Sequence, residues 1–585
     1  MQILRTNSSR LPALACALSL LFCLPLVKPW VEIGIHDEPS YVRTAQVLAQ
    51  TGHVIYNGWS GPILGWHVYL GAAFIKLFGF SFTAVRLSTL PIAMLTTFLG
   101  QRTMLRCGVS QWNAALAMLT LVFTPLFLPL SFTFLTDIGG LLVIILCFYG
   151  CVRSLHEDSD TRASMWLAFA ALSNALGGSI RQTCWLGLLV MIPSALFLLR
   201  RRRSVLIWGC VSLLCSLGIV LTIATWYNHQ PFIVSTSLLS TKLTRDTVVR
   251  GTRSMTKLLF DAPLFLLPLL VAFAPAMRWT NRRSRWALLL GLALSGAVMV
   301  WILRRADPQM WLLPAAKDIF TPRGLFDGIR IQGPRPVILP IGFRIGLTCF
   351  VLAVLSGSVA GLLAARSAGE KEEAAPRLGE LILLVGPFSV VYLLVLSTQA
   401  PLDSLFQRYL LPLLFLAALV LVRFYQERIA YRLPAYVPLM IAIIAAFAIA
   451  ETHDAFAMFR AWQTAADEVR QSEISPASID AGLAFNLWTE LQLVGYVQGP
   501  LTKYPAGFRA QEPANWDITC APQKWIYTPH VNPKYTVSFS PDICSGLSNF
   551  PPVQYHQWLG PRNVTVYVLR DEPGPRNEGG PGPND

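Results

Sequence analysis

The stretch Ile35-His36-Asp37-Glu38-Pro39-Ser40-Tyr41 follows the first apolar run of the chain and places two adjacent carboxylates where the chain leaves that run. Acidic side chains are costly beside hydrocarbon, so a pair at such a boundary indicates a functional role. The structural alternative is a helix cap, because Asp is a favoured N-cap and Gly52 ends a predicted helix over residues 37–50. Adjacent residues on a helix point about 100° apart, so Asp37 and Glu38 cannot both address one atom.

The composition around this stretch is that of a membrane protein. The 585 residues are 54% hydrophobic and only 14% charged, with a mean hydropathy of +0.50. Recurring apolar runs of about 18 or more residues predict an all-α polytopic membrane fold. Much of the net charge of +15 lies in short loops such as 200–203, where basic residues set the topology. We therefore expect no nucleic-acid partner.

The sequence predicts about 13 transmembrane helices. They lie near residues 11–27, 88–105, 113–130, 138–153, 163–180, 184–199, 205–225, 259–277, 286–303, 341–364, 379–397, 408–423 and 433–450. The first loop, 31–87, carries a half-polar apolar stretch that suits interfacial helices better than a span. If the N-terminus is cytoplasmic, 13 spans place most of the basic clusters in cytoplasmic loops, as the positive-inside rule requires. If residues 62–80 spanned the membrane, the basic loop 200–203 would face outward.

The same count places the Asp37 and Asp137 loops, and everything after residue 450, on the outer face. Two outer loops, 226–258 and 304–340, are themselves basic. Either the predicted topology is wrong there, or those charges have an anionic partner outside.

The membrane pattern is lost over residues 452–571. Residues 455–469 can form an amphipathic helix, and residues 535–539 and 564–569 alternate as strands do. We predict a small α+β extracytoplasmic domain here, with a role in acceptor binding or as a lid over the site.

This domain follows a transmembrane domain of residues 1–451 and precedes a Pro/Gly-rich tail, 572–585, that is predicted to be disordered. Cys520 and Cys544 are the only two cysteines in the polar C-terminal part. If that part faces an oxidising compartment, they are natural disulfide partners.

Further candidate residues lie at the outer ends of predicted spans. Asp137 begins one span and is followed by two glycines that allow a close approach, although it can equally be a helix cap. Arg181 and Arg408 can snorkel to lipid headgroups or can bind a phosphate with two hydrogen bonds. Two acidic turns that face one compartment are more informative than either alone.

A metal site is the weaker interpretation of the first loop. His36, His53 and His67 share that loop with the two acids, but no two of them have a tight ligand spacing. We assign no cofactor, and a divalent metal remains open.

These motifs resemble those of a known family. Asp37-Glu38-x-x-Tyr41 after the first span is similar to the signature of the GT-C membrane glycosyltransferases, nearest to the protein O-mannosyltransferase and lipid A aminoarabinose transferase branch. The resemblance covers roughly residues 10–450. Further matches are Pro62-Ile63-Leu64, Leu77-Phe78-Gly79, Val85-Arg86-Leu87, Thr136-Asp137, Arg181-Gln182-Thr183 and Arg408-Tyr409-Leu410-Leu411-Pro412.

The resemblance implies a GT-C fold and an activity. The expected reaction is an inverting transfer of a hexosyl or pentosyl unit from a polyprenyl-phosphate-linked sugar to a hydroxyl of a lipid, glycan or protein acceptor. The expected location is the lipid bilayer of a bacterial inner membrane, with the N-terminus cytoplasmic and the C-terminal domain periplasmic.

The resemblance also implies roles for residues. Asp37 matches the acid thought to activate the acceptor, and we place Glu38 and Asp137 with it as catalytic. Arg181 falls where relatives carry a basic residue near the donor phosphate, and Arg408 is placed there too.

The motif departs from the family at Ser40, where some relatives have Arg. Arg43 or the basic outer loops would then replace that contact with the donor phosphate. Contacts with the substrate are expected from Tyr41, His67 and Tyr409.

The implied glycosyl transfer is also chemically reasonable. A lipid phosphate is already a good leaving group, so one base on the acceptor side suffices, unlike the two carboxylates of a glycosidase. The competing interpretation is a transporter or flippase of a lipid-linked or anionic substrate, which would place ionisable residues near mid-membrane. The predicted spans are nearly free of internal charge, and this favours chemistry at one face.

Overall fold

The computed structural model describes residues 10–570 except residues 60, 236–243, 277–281, 317, 328–330, 367–376, 400–404, 512–526 and 542–545. The predicted disulfide partners Cys520 and Cys544, and the predicted tail 572–585, lie outside the described residues.

The described part of the chain is mostly helical. Its first nine α-helices are α1 (Leu11–Val27), α2 (Glu38–Thr51), α3 (Gly65–Phe78), α4 (Phe82–Leu87), α5 (Thr89–Arg106), α6 (Gln111–Val122), α7 (Phe127–Leu130), α8 (Asp137–His156) and α9 (Asp160–Gly177). After short 3₁₀ and π segments come α10 (Ile192–Leu198), α11 (Arg203–Asn228), α12 (Arg245–Phe265), α13 (Leu267–Val271), α14 (Arg282–Leu303), α15 (Ile341–Arg366), α16 (Leu378–Gln399), α17 (Leu411–Arg428), α18 (Tyr436–Gln471) and α19 (Gly482–Val494).

Nine helices in the described residues are long and apolar enough to cross a membrane, against about 13 predicted. Proline accounts for two of the differences, because it lacks a backbone N–H and interrupts a helix. Pro125 lies in the break between α6 and α7, which divide the predicted span 113–130. The predicted span 259–277 divides between α12, which contains Pro263, and α13. The predicted spans at 11–27 and 184–199 are present as shorter apolar helices, Leu11–Val27 and Gln182–Leu198.

The core of the helical part is built around α8. Most side chains of α8 are buried, and it packs against α5 and α9. Gly150 allows the close approach to α9, since a Cβ there would lie 2.7 Å from the Cβ of Ala170. By contrast, α11 and α14 expose long apolar side chains such as Leu214 and Leu290, as helices at a lipid boundary do.

The first loop folds into three short helices rather than a span. α2 is ended by Gly52 in a left-handed conformation (φ 76°), as the sequence predicts. α3 has only 14 residues, whereas a transmembrane helix needs about 20. This length agrees with the interfacial prediction for that stretch.

The C-terminal region contains a four-stranded sheet. After a small hairpin in the loop before α15, β1 (Phe320–Thr321) and β2 (Gly324–Leu325), the sheet strands are β3 (Ile479–Asp480), β4 (Tyr535–Ser538), β5 (Val553–His556) and β6 (Asn563–Arg570). Their order is β3-β4-β6-β5, with β3 parallel to β4 and the other pairs antiparallel. Together with α19 this is a small α+β unit, and β4 and β6 match the two predicted strands.

Helix α18 runs through the predicted domain boundary. Residue 451, where the membrane domain is predicted to end, lies inside α18, which continues for 36 residues to Gln471. Asp454 on this helix anchors the sheet region, because its carboxylate accepts the backbone N–H groups of Trp558 and Leu559 at 2.8 Å each.

Candidate active site

Six charged side chains from separate parts of the chain meet at one end of the helices, and we call them the carboxylate cluster. Its members are His36, Asp37, Asp137, Arg181, Asp318 and Arg408. The first two precede α2, Asp137 begins α8, and Arg408 lies just before α17. The four members predicted from the sequence to face one compartment, Asp37, Asp137, Arg181 and Arg408, are therefore brought together.

The Asp37 carboxylate is not used as a helix cap. Asp37 occupies the N-cap position of α2, but its side chain accepts no capping hydrogen bond. Its Oδ2 lies 3.1 Å from Nδ1 of His36 and 3.1 Å from a terminal nitrogen of Arg408. Its Oδ1 accepts the indole N–H of Trp59 at 3.1 Å. Burial raises the pKa of Asp37, but His36, Arg408 and Trp59 outweigh burial and hold that pKa well below its usual range.

His36 bridges two carboxylates. Its Nδ1 faces Asp37, and its Nε2 lies 3.1 Å from Oδ1 of Asp318. Burial lowers the pKa of His36, but the two carboxylates outweigh both burial and Arg408 and raise it to about 9. The backbone of His36 has φ 60°, a left-handed conformation that non-glycine residues rarely adopt outside special sites.

Asp318 was missed by the sequence analysis, which described the loop 304–340 only as basic. The side chain is buried, and its Oδ2 lies 3.8 Å from Nε of Arg408. The loop is held by the buried Asp261, which accepts the backbone N–H groups of residues 315 and 316 at 2.7 and 3.0 Å. Gln407 donates to Asp261 at 2.7 Å. The loop contains three acids, Asp307, Asp318 and Asp327, and nothing in the sequence singles out Asp318 among them.

The two arginines of the cluster are engaged with carboxylates. Arg181 binds Asp137, and its guanidinium lies 4.3 Å from the ring centre of Tyr409. Arg408 is 3% exposed and has its Nε 3.8 Å from Asp137 Oδ2. Tyr41 is buried close enough for these charges to act on its phenol, whose pKa is raised mainly by burial. The three carboxylates are thus balanced by two arginines and a protonated His36.

Glu38, which is predicted to be catalytic, is directed away from this cluster. It is fully buried and pairs with Arg86 at 2.7 Å. It also accepts the backbone N–H groups of Ile35 and Phe134 at 2.9 and 2.8 Å. Both carboxylate oxygens of Glu38 are used inside the core, where they hold the first loop, and its catalytic role stays a prediction.

Two other predicted residues also lie off the cluster. His67 is buried and stacks on the ring of Phe134 with centroids 4.0 Å apart. Burial lowers its pKa to about 4, so the ring is neutral and part of the core. Arg43 donates to Gln46 at 2.7 Å on the same helix. Neither residue lines the cavity described next.

A cavity of about 630 Å³ opens beside the cluster. His36, Asp37 and Asp318 line it together with the indole of Trp59 and the apolar side chains of Pro314, Val337, Leu339, Ile341 and Phe406. Three cations also line it, Lys257 on α12, Arg323 in the β1–β2 turn and Arg344 on α15.

Arg344 serves the loop rather than the cavity, because its guanidinium donates to backbone carbonyls including those of Gln309 at 2.7 Å and Leu313 at 3.1 Å. Over the described ranges, no group of three or more His, Cys, Asp or Glu side chains is arranged to hold a metal ion.

No family model matches the sequence, and no curated protein matches it. Solved structures similar to this chain include ArnT from Cupriavidus metallidurans bound to undecaprenyl phosphate, at 14% identity over 97% of this chain and 98% of that chain, with a TM-score of 0.39. The oligosaccharyltransferase AglB from Archaeoglobus fulgidus has 14% identity over 90% of this chain and 64% of its own, with a TM-score of 0.40. For the S. cerevisiae protein O-mannosyltransferase complex bound to its sugar donor, the match has 15% identity, a TM-score of 0.32, and covers 39% of this chain and 34% of that chain.

Identities and TM-scores this low do not establish an activity or a substrate for this chain. Two of these three neighbours are named as an oligosaccharyltransferase and a protein O-mannosyltransferase.

Proposed function

We propose that the chain is an integral-membrane glycosyltransferase that moves a hexosyl or pentosyl unit from a polyprenyl-phosphate-linked donor to an acceptor hydroxyl, with inversion. The observation that carries this proposal is the Asp37 carboxylate, which caps no helix, stays ionised and lines a cavity of about 630 Å³. The acceptor is a lipid, a glycan or a protein, and the site faces the outer side of a bacterial inner membrane.

In the proposed reaction the acceptor oxygen attacks the anomeric carbon of the sugar and its proton passes to Asp37. The bond between the anomeric carbon and the phosphate oxygen breaks, and the polyprenyl phosphate leaves with the electron pair. Because His36 and Arg408 lower the basicity of Asp37, the proton moves late, once the new bond has made the hydroxyl acidic.

Lys257 and Arg323 are further candidates for the donor phosphate, because both line the cavity. Arg181 and Arg408, which were predicted for that role, are engaged with carboxylates. Lys257 and Arg323 belong to the two basic loops, 226–258 and 304–340, for which an anionic partner was one of two explanations. A cation beside the departing phosphate stabilises the charge that grows on it.

The proposal is tested by sugar transfer from a panel of polyprenyl-phosphate sugars in membranes, comparing wild type with Asp37→Asn. Asn keeps the size of the side chain and an acceptor for Trp59 but cannot take up the proton. We expect turnover to fall by about 100-fold or more, with normal insertion and amount of protein. The matched control is Asp246→Asn, at an exposed residue of α12, which should transfer as wild type does.

The outcomes separate the alternatives. Unchanged transfer by Asp37→Asn would remove Asp37 from the chemistry and direct attention to Asp137 and Asp318. Absence of transfer by wild type with every donor would count against an enzyme and favour the transporter or flippase. Lys257→Gln should raise the KM for the donor, whereas the exposed Lys534→Gln should leave it unchanged.

A further inference from the structure

Trp59 is the neutral partner of the reacting carboxylate. Its indole N–H donates to Asp37 Oδ1 at 3.1 Å, while the other oxygen of Asp37 faces His36 and Arg408. Trp59 also lines the cavity. The indole therefore fixes the rotation of the carboxylate, because without it both oxygens would be free to turn toward the Arg408 guanidinium, which favours bidentate pairing.

Trp59 lies on the loop between α2 and α3, which is tied to α2 on one side. The side-chain amide of Asn57 donates to the backbone carbonyl of Ser40 at 2.8 Å and to Thr44 at 3.2 Å. The Ser40 hydroxyl donates back to Asn57 at 2.8 Å. These contacts hold the base of the loop at Asn57, two residues before Trp59.

On its other side the loop is held by residues 497–503 of the C-terminal domain, which we call the C-terminal brace. The backbone N–H of Val497 donates to the carbonyl of Asn57 at 2.8 Å. The hydroxyl of Thr502 donates to the carbonyl of Gly58 at 2.8 Å. The ring of Tyr527, also in the C-terminal domain, meets the Trp59 ring edge-on with centroids 5.4 Å apart.

Gly58 shows how closely the brace approaches. Its φ is +83°, and a Cβ there would lie 2.4 Å from the carbonyl oxygen of Val497. The loop also receives support from the segment after α11, since Gly58 donates to the carbonyl of Phe232 at 2.7 Å and Phe232 in turn donates to Lys503 at 2.9 Å. The C-terminal brace, Phe232 and the loop that carries Trp59 are therefore joined by hydrogen bonds.

We propose that the C-terminal domain positions the reacting carboxylate: the brace holds Trp59 against Asp37 and thereby sets the orientation of Asp37. This inference rests on the proposed glycosyl transfer for its kinetic consequences. Trp59 and Thr502 are positioning residues, because they act through Asp37. The role differs from the acceptor binding or lid expected from the sequence, since it operates whichever acceptor is present.

A double-mutant cycle tests the proposal on the full-length protein in membranes. The variants are Trp59→Phe, which keeps a ring but removes the donor, Thr502→Val, and both together. We expect each single variant to lower kcat by about 10- to 100-fold, with the KM for the donor within about twofold of wild type. The double variant should be no slower than Trp59→Phe, because Thr502 has no other route to Asp37.

Matched variants separate positioning from loss of structure. Thr502→Ser keeps the hydroxyl and should restore kcat. Thr464→Val, at an exposed threonine of α18, and Trp112→Phe, at an indole that is 53% exposed, should behave as wild type. If the losses in the double variant multiply, or if Thr502→Val keeps full kcat, the proposal is overturned.

A second measurement does not depend on activity. In protein labelled with 5-fluorotryptophan, the Trp59 resonance is identified by its absence in Trp59→Phe. We expect it to shift or broaden in Thr502→Val and to return in Thr502→Ser. An unchanged resonance in Thr502→Val would refute the brace even if wild type transferred no sugar. If wild type transferred no sugar but the Trp59 resonance shifted in Thr502→Val, the proposed function would be refuted and the role of the brace in holding Trp59 would be supported.

Discussion

His36 should make the stability of the protein depend on pH in a defined window. Its pKa is raised from the ordinary 6.5 to about 9 by its two carboxylate neighbours, against the effect of burial. The stabilisation is fully present below pH 6.5 and is lost as the pH rises through about 9, because only the protonated ring pairs with both carboxylates. At about 1.36 kcal/mol per pH unit, the shift corresponds to on the order of 3 kcal/mol of unfolding free energy.

The assay is the rate of heat unfolding of the purified protein in mild detergent, at one temperature and between about pH 6 and pH 10, because unfolding of a large membrane protein is governed by its rate. If the whole stabilisation is lost from the activation free energy of unfolding, wild type should unfold up to about 100-fold faster at pH 10 than at pH 6. His36→Asn should unfold faster than wild type at pH 6.5 and show no such rise, and Asn tolerates the left-handed backbone at this position.

The control is His53→Asn, at an exposed histidine that follows α2, which should keep the wild-type pH profile. The reasoning is refuted if wild type and His36→Asn show parallel profiles between about pH 7 and pH 9.5. A profile flattened equally by His53→Asn would also refute it, since the effect would not then come from the bridge between Asp37 and Asp318.

Two further substitutions test the buried charges. Glu38→Gln should lower the amount of folded protein, because it leaves Arg86 buried with only part of its partner, at a cost of about 3–5 kcal/mol; a stable variant that lacked transfer would instead restore a catalytic role for Glu38. Arg408→Gln leaves three carboxylates of the cluster undercompensated and should destabilise by a similar amount, while adding Asp318→Asn should recover part of the loss. Thermal unfolding of the single and double variants measures this coupling, and strictly additive effects would contradict it.

The sequence predicts part of the cluster for a physical reason. Loops that leave a membrane on the same side can meet, so a consistent side for Asp37, Asp137, Arg181 and Arg408 was enough to group them. The 100° between neighbouring helical side chains also anticipated that Asp37 and Glu38 would have different partners. The helix geometry could not show which of the two carboxylates faces the cavity, because that depends on the pairing of Glu38 with Arg86, far away in the sequence.

The rest of the site depends on contacts between residues far apart in the chain. His36 and Asp318 are separated by 282 positions, and Trp59 and the brace by more than 400. Neither pairing leaves a periodic signal, because both lie in irregular loops whose conformation is decided by tertiary hydrogen bonds. The count of about 13 spans stays a prediction, because apolar composition is the same for helices buried in lipid and in a protein core, and nine helices of the described residues meet the length and hydropathy of a span.

The uninterrupted course of α18 has a mechanical consequence. Its 36 residues extend about 54 Å, of which a bilayer core accounts for about 30 Å. The remaining helix, about 24 Å long, is continuous and rigid, and the C-terminal sheet region is attached to it at Asp454. A domain mounted in this way cannot swing about a flexible tether. Its height above the lipid is set by the helix, so under the proposed function the site would keep a constant distance from the membrane.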